Sequence, residues 1–303
     1  MESLNVYIPA DRRMALSRGQ SLPDQTDGAV LFADISGFTP LTELLSQKLG
    51  PQRGAEEVTH QLNNIYGALI AQVHNFMGSV INFSGDAITC WFDGDDGRRA
   101  TTCALAMQKT MLKFQAMQTV AGIVSFSIKA GVTAGPVRRF LVGKPSIRTI
   151  ETLAGSLLDR VAAAEKLAQK GEIVIGSEII KNLGEADSVT EWREGKDGER
   201  YAVISTIKEP APETPWGELP VIPAEQARDW LFPVIYERLQ SGAGEFLAEL
   251  RPVVALFLKF SGITYEEDDA LIRLDNYIRW VQEVLARFEG NLLELIIGDK
   301  GSH

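Results

Sequence analysis

One long amphipathic helix that follows a short apolar run constrains the fold of this chain more than any other sequence feature. From Ala55 to Phe76, apolar side chains recur every three or four residues, which is the spacing of one helix face. Residues 28–33 form a continuous apolar run that ends at Asp34, as expected for a buried strand. The pattern therefore predicts a sheet that begins with this strand and is covered by the helix.

The pattern after this helix predicts more strands and helices in alternation. Two short apolar runs, 79–83 and 87–92, flank Ser84-Gly85-Asp86 and predict a hairpin with a carboxylate at its tip. Gly135-Pro136 predicts a turn between two further strands. The remaining predicted elements are a helix at 97–118, strands at 123–132, 137–142 and 173–175, helices at 155–169 and from Ser177, and a hairpin over 189–207.

The first pattern is partly repeated near the end of the chain. LFADISGF (31–38) matches LFLKFSGI (256–263), and VINFSGDA (80–87) matches LELIIGDK (293–300). A spacing this long is not that of a solenoid and indicates a second copy of one domain. The second copy predicts a strand at 253–260, a helix at 268–288 and a strand at 291–297.

A proline-rich segment separates the two copies. Five prolines lie between residues 209 and 223, which is typical of a linker, and a helix at 224–240 with a glycine-rich break at 241–244 follows. We therefore predict a segment 1–27, a first domain 28–207, a linker with a helix 208–245, and the truncated start of a second domain 246–303.

Composition excludes several classes of protein. The net charge of −10 opposes binding to nucleic acid backbones. No apolar run approaches the roughly 20 residues that a membrane span needs, and the N-terminal sequence lacks the apolar core of a secretory signal. Cys90 and Cys103 lie in apolar patterns and are predicted to be buried free thiols of a cytoplasmic protein.

Asp34 and Asp86 are the candidate functional residues. Asp34 ends a strand and precedes a tight turn, whose backbone N–H groups can hold phosphate oxygens. If its strand neighbours the hairpin, the two carboxylates converge. Two carboxylates with few other ligands suit Mg²⁺ or Mn²⁺ beside nucleotide phosphates, because such ions keep several waters and take other oxygens from the substrate.

The segments LFADISGFTPLTE and VINFSGDAITCWF resemble the two metal-binding motifs of class III adenylyl and guanylyl cyclases. GVTAGPV (131–137) is similar to the glycine-rich strand pair of that family, and residues 165–175 to its helix and following strand. The resemblance covers residues 28–206 fully and 252–301 in part, and it is greatest to the tandem-domain branch that includes soluble adenylyl cyclase.

The resemblance implies an α+β fold of ferredoxin-like βαββαβ type, a mixed sheet with helices over it. It also implies conversion of ATP to cyclic AMP and pyrophosphate, with two Mg²⁺ or Mn²⁺ ions. Asp34, Asp86 and the Ile35 carbonyl would hold the metals. The nucleotide would contact the turn and the hairpin tip, at Ser36, Gly37, Phe38, Thr39 and Gly85.

In this family the site lies between two domains, and the first domain here lacks the partner half. The purine-selecting position falls on Asn82, and the Asn/Arg pair that steadies the transition state falls on Asp159 and Ala163. Lys and Arg are absent from the positions that would bind bicarbonate in soluble adenylyl cyclase, so bicarbonate activation is not expected.

The complementary half is therefore expected from a second cyclase domain, in this chain or in another chain of a dimer. The second copy has Lys259 where Asp34 stands, so it cannot hold the metals itself. Its purine position falls on Glu294 or Leu295, and its other groups are expected beyond residue 303. The present chain alone is expected to have weak or no activity.

Two alternatives stay open at this point. A guanylyl cyclase is suggested by Glu294, because adenylyl cyclases usually have Lys at that position. A catalytically silent module that binds nucleotide or metal and regulates a partner is suggested by the missing partner-half residues.

Overall fold

The computed structural model of the protein describes residues 4–120, 122–184, 188–196, 198–242, 253–298 and 301–303. Contacts divide the chain into two compact units. The sheet unit comprises Asp27–Gly135 and Asp159–Trp216. The ribbon unit comprises Met1–Thr26, Pro136–Leu158 and Gly217–His303. The two units interleave along the chain, whereas the sequence predicts consecutive domains, and those predicted boundaries stay a prediction.

Strands and helices alternate through most of the chain. The strands are β1 (Gln25–Ser36), β2 (Ser79–Ser84), β3 (Ala87–Asp93), β4 (Met117–Thr119), β5 (Gly122–Val124), β6 (Ser127–Val142), β7 (Ile150–Ala154), β8 (Ile173–Gly176), β9 (Val189–Glu194), β10 (Arg200–Ile204), β11 (Ile297–Gly298) and β12 (Gly301–Ser302). The α-helices are α1 (Ala10–Ser17), α2 (Phe38–Leu49), α3 (Pro51–Asn75), α4 (Arg98–Met111), α5 (Ser156–Leu167), α6 (Ser177–Leu183), α7 (Ala224–Arg228), α8 (Pro233–Gln240) and α9 (Ala270–Ala286).

The central sheet is mixed, with the strand order β2-β3-β1-β6-β8-β10-β9. β1 and β3 are antiparallel, as are β2 and β3, whereas β6 and β8 are parallel. The predicted α+β fold is confirmed, and so is the hairpin over 79–92. The terminal hairpin is also present as β9 and β10, although Asp197 of its predicted turn lies outside the described residues.

Helix α3 forms for the reason that its sequence indicates. Ile65, Leu69 and Val73 are fully buried, and Phe76 is nearly so. These side chains pack with the inner faces of β1 and β3 in one apolar core. Cys90 and Cys103 lie in the same core, are free thiols as predicted, and burial raises the pKa of both.

The ribbon unit is built on the antiparallel pair of β7 and the second half of β6. Its core packs Phe140 and Val142 of this pair with Leu274 and Ile278 of α9. A buried ion cluster joins the pair to α1: Arg12 lies 2.9 Å from Glu151, and Arg139 contacts both Glu151 and Asp11.

Several predicted elements of the first repeat are corrected. β6 runs without a turn through Gly135-Pro136. Pro136 lies between the stretch that pairs with β8 and the stretch that pairs with β7, a position where a strand tolerates a missing N–H. The helix predicted to reach residue 118 ends at Met111, and a small hairpin of β4 and β5 precedes β6. Strand β7 was missed.

The two strands predicted for the second repeat are wrong. Residues 253–259 form no strand, and 291–297 contribute only the start of β11, which pairs with β12 over two residues. The predicted helix is confirmed as α9. The helix predicted at 224–240 is two helices, α7 and α8, with Pro233 opening the second. Part of the glycine-rich break, and Asp299, lie outside the described residues.

The proline-rich segment is not a loose tether where it leaves the sheet unit. The indole N–H of Trp216 donates to the Gly78 carbonyl at 2.8 Å, and the Ala211 N–H donates to Thr102 Oγ1 at 2.9 Å. Among the described residues, no helix is both long and apolar enough to cross a membrane.

Candidate active site

The ladder between β1 and β3 brings the two predicted carboxylates together. Asp34 pairs with Ala87, the residue after Asp86, and the Ile35 N–H donates to the Asp86 carbonyl at 3.0 Å. Asp34 therefore stands at the end of a fixed central strand, with its side chain 26% exposed. Asp86 lies exposed at the tip of the neighbouring hairpin.

The turn after Asp34 is held tightly against the start of β6. The Ser36 and Ser127 hydroxyl groups lie 2.8 Å apart, and the Phe38 ring packs against Phe126. Gly37 has φ of +123°, and a Cβ there would lie 2.7 Å from the Ser125 carbonyl oxygen. Only glycine fits this position without strain, because L-residues rarely adopt such a φ.

The like charges of the two carboxylates determine the electrostatics of this pair. Partial desolvation raises the pKa of the Asp86 carboxyl, and the nearby Asp34 carboxylate raises it further. Two like charges this close disfavour each other's ionised form. A cation beside the two carboxylates would relieve this repulsion.

Lys129 supplies one such cation. The sequence patterns did not identify it as a site residue. Its Nζ lies 3.4 Å from Asp34 Oδ2 and 2.5 Å from Glu165 Oε1. Desolvation lowers the pKa of Lys129, but hydrogen bonds and charges of Glu165 and Asp34 outweigh it, so the net pKa is raised. Lys129 alternates with the buried Ile128 and Ala130 along β6, and this parity was the available signal that it faces away from the core.

Tyr66 of α3 also reaches the site. Its hydroxyl donates to the Gly85 carbonyl at 3.3 Å, directly before Asp86. Burial, followed by the charges of Asp86 and Asp34, raises the pKa of Tyr66 to about 12. The hydroxyl therefore keeps its proton and remains a donor at neutral pH.

The donor set suits a hard divalent ion that takes most ligands from water and substrate. Asp34, Asp86 and the Ile35 carbonyl offer only oxygen, which Mg²⁺ and Mn²⁺ prefer. Within the described ranges, no cluster of three or more His, Cys, Asp or Glu side chains is arranged to hold an ion. An ion held by so few protein ligands would keep coordination positions for other oxygen ligands.

The sequence model of the adenylate and guanylate cyclase catalytic domain matches residues 23–197. This match covers more than half of the chain and contains both carboxylates. The chain belongs to the adenylate and guanylate cyclase catalytic domain family. The predicted resemblance is thereby confirmed.

Individual relatives agree with this assignment. Adenylate cyclase type 10 of Rattus norvegicus is 27% identical over 152 residues, which cover 49% of this chain and 9% of that protein. The Homo sapiens protein of the same name is 23% identical over 314 residues, covering 92% and 19% respectively. The solved structure of the guanylyl cyclase Cya2 has a TM-score of 0.52 at 23% identity, over 66% of this chain and 98% of that one, which shows the same fold. This chain spans less than a fifth of the length of these adenylate cyclase relatives.

The structure describes the three residues that the resemblance predicts at the partner-half positions. Asn82 lies on β2, and its Oδ1 is buried without a hydrogen bond from the part of the chain that the structure describes. Asp159 is exposed on α5, and Ala163 on the same helix is half-buried. The nearby Arg160 donates to the Ala134 carbonyl at 3.0 Å and lies 3.4 Å from Glu178. Its guanidinium is therefore engaged in an ion pair within the sheet unit.

The predicted nucleotide-contacting residues fall into two groups. Ser36 and Gly37 follow Asp34 along the chain and Gly85 precedes Asp86, whereas Phe38 is buried in the apolar core and Thr39 is exposed at the start of α2. Glu294 and Leu295 belong to the ribbon unit. Glu294 is half-buried, whereas Leu295 is 3% exposed within the apolar core beside α9. Their role in purine selection stays a prediction.

Proposed function

We propose that this chain supplies the metal-holding half of a nucleotidyl cyclase active site and that ATP is the substrate. The observation that carries the proposal is the pairing of Asp34 on β1 with Ala87, the residue directly after Asp86, in a domain of the cyclase family. The names of the relatives, both adenylate cyclases, support ATP over GTP.

In the proposed reaction, the ribose 3′-oxygen forms a bond to the α-phosphorus of ATP, and the bond to the departing pyrophosphate breaks. The hydroxyl proton leaves to solvent. Bound Mg²⁺ or Mn²⁺, two ions per site, would lower the pKa of the attacking hydroxyl and neutralise the leaving pyrophosphate. Asp34, Asp86 and the Ile35 carbonyl would hold these ions.

The remaining residues act by position and charge. Backbone N–H groups of the turn at 36–39 and at Gly85 would bind phosphate oxygens. Lys129, held by Glu165, would add a positive charge close to the carboxylates and so favour a polyphosphate there. No side chain needs to act as a nucleophile, because catalysis of this kind depends on orientation and charge neutralisation.

A second cyclase domain would complete the site. Asn82, Asp159 and Ala163 cannot replace the usual partner-half groups, so we propose that these come from a second domain in cis or from another chain in a dimer. The tandem arrangement, with a first domain at 28–207 and a second beginning at 246, is part of the proposal. So are a cytoplasmic location, which suits the two buried free thiols, and the absence of a nucleic acid partner.

Two other functions are favoured by specific residues. Glu294 at the expected purine position favours GTP as the substrate. Asp159 and Ala163 favour a catalytically silent module that binds nucleotide or metal and docks partners. Lys129 beside Asp34 also fits the silent module, because an internal cation already offsets part of the acidic charge.

Cyclic nucleotide formation distinguishes these functions. Product is measured with Mn²⁺ and either ATP or GTP, for this 303-residue chain and for a version extended by a complete second cyclase domain. We expect cyclic AMP from the extended version and little or none from this chain alone. Preference for GTP would mean that the protein is a guanylyl cyclase. Absence of product from the extended version with either nucleotide would overturn both cyclase functions and support the silent module.

A further inference from the structure

The two carboxylates of the proposed metal site lie on different elements, and a metal site needs them at a fixed separation. Asp34 is fixed by the central strand β1, whereas Asp86 lies in a tip of two residues between β2 and β3. Asp34 and Asp86 carry like charges, which Lys129 offsets only in part, so close approach of the two carboxylates is unfavourable when no metal is bound. Contacts from outside the hairpin must oppose this.

Two hydrogen bonds from other elements reach backbone carbonyls of the tip in the described structure. The Ile35 N–H donates to the Asp86 carbonyl at 3.0 Å, and the Tyr66 hydroxyl donates to the Gly85 carbonyl at 3.3 Å. The first contact continues the sheet. The second comes from Tyr66 in the interior of α3, which packs over the sheet.

The ring of Tyr66 contacts both the hairpin that carries Asp86 and the start of α2 after Asp34. Its edge meets the Phe83 ring of the hairpin, with centroids 4.9 Å apart and planes at 82°. On the other side it stacks on Phe38, which opens α2 after the turn that follows Asp34, at 6.5 Å and 17°. Phe38 in turn packs at 4.9 Å against Phe126 of the segment leading into β6. The Tyr66 side chain thus links the turn that follows Asp34 to the hairpin that carries Asp86.

We propose that Tyr66 is a positioning residue that holds the Asp86 tip at a fixed separation from Asp34, so that the carboxylate pair is ready for metal before metal binds. The ring sets the lateral position through Phe38 and Phe83, and the hydroxyl fixes the height of the tip through Gly85. This inference rests on the proposed function, because it assigns Tyr66 to the metal site of that proposal.

Removing the hydroxyl separates its role from that of the ring. Tyr66→Phe keeps both ring contacts and loses only the hydrogen bond to Gly85. Loss of one such hydrogen bond corresponds to about a five-fold change in an equilibrium constant. We therefore expect Tyr66→Phe to weaken Mn²⁺ binding by about five-fold, with the circular dichroism spectrum unchanged and any loss of stability no larger than that of one hydrogen bond.

The experiment measures Mn²⁺ binding to the 303-residue chain by electron paramagnetic resonance, without nucleotide. Tyr236→Phe is the matched control, because this tyrosine lies on α8 in the ribbon unit. Asp86→Asn reports whether the site itself is real. In the extended version, Tyr66→Phe should raise the Mn²⁺ concentration for half-maximal rate by the same factor and leave kcat at saturating Mn²⁺ unchanged, a split that a general packing defect would not give.

The outcomes separate the two ideas. Weaker binding in Tyr66→Phe and wild-type binding in Tyr236→Phe would support the positioning role. Wild-type binding in Tyr66→Phe, together with lost binding in Asp86→Asn, would overturn the role of Tyr66 and leave the metal site standing. Wild-type binding in Asp86→Asn and Asp34→Asn would overturn the metal site and the inference with it.

Discussion

The two copies of one sequence pattern differ in what surrounds them. Leu31 in the first copy is fully buried in β1, whereas its counterpart Leu256 is 72% exposed and belongs to no strand. The next residue of the second copy, Phe257, is 85% exposed. Because their local sequences are alike, the difference lies in the neighbours: β1 lies between β3 and β6. A strand-like sequence is therefore not sufficient by itself, because a strand forms only where neighbouring strands pair with it.

The copies also differ in charge at one position. Asp34 of the first copy corresponds to Lys259 of the second. A lysine cannot ligate a divalent ion in place of an aspartate, so the second copy could serve a cyclase only through other groups. Under the proposed function the repeat is asymmetric, with metal chemistry in the first copy alone.

The largest expected effect tests this asymmetry of charge. In the extended version, Asp34→Asn should lower cyclic nucleotide formation by about 100-fold or more, as the loss of one charge-stabilising group does elsewhere. Lys259→Asn is the control at the corresponding position and should leave the rate within two-fold of wild type, an estimate of about 0.4 kcal/mol. Equal losses of rate in both variants would contradict the proposal that only the first copy holds the metals.

The next effect tests the difference in burial. Leu31→Ala should lower the free energy of unfolding of the sheet unit by about 3 kcal/mol, because it leaves a cavity in a closed core. Leu256→Ala, at the corresponding position, should change stability by less than about 0.5 kcal/mol, as is usual for exposed sites. Urea unfolding followed by fluorescence measures both. A large loss in Leu256→Ala would mean that residues 253–259 are covered in solution.

The smallest effect tests the glycine near the end of each copy of the repeated segment. Gly37 and Gly262 correspond and both have positive φ, but only Gly37 is crowded by Ser125 and Phe126. Gly37→Ala should destabilise the protein by about 2 kcal/mol, the sum of backbone strain and close contact. Gly262→Ala should cost about 1 kcal/mol from strain alone. The difference between the two unfolding midpoints is the measurement, and equal midpoints would contradict the crowding at Gly37.

The sequence was sufficient where a feature depends on local periodicity. The face of α3 at Ile65, Leu69 and Val73 was predictable from spacing, and so was the hairpin that carries Asp86. The convergence of Asp34 and Asp86 followed once β1 and β3 were taken as neighbours. Lys129 and Tyr66 could not be placed from spacing, because their contacts depend on which strand and which helix pack beside the hairpin.

Other errors have a similar physical origin. Gly135-Pro136 is a turn signal in most contexts, but β6 is paired on either side of it and continues through it as one strand. The strand predicted at 253–260 has the right composition, but within the described ranges its residues pair with no strand, apart from one bridge between Phe260 and Ser302. Both cases depend on pairing across long sequence separations, which a local pattern does not report.

The continuity of β6 has a practical consequence for producing this protein. The strand begins in the sheet unit and ends in the ribbon unit, where Phe140 and Val142 are covered by the segment that contains α9. An expression fragment cut at residue 207 would keep this apolar ribbon and lose its cover. Such fragments tend to precipitate or self-associate, so soluble material is best sought by keeping residues 208–303 attached.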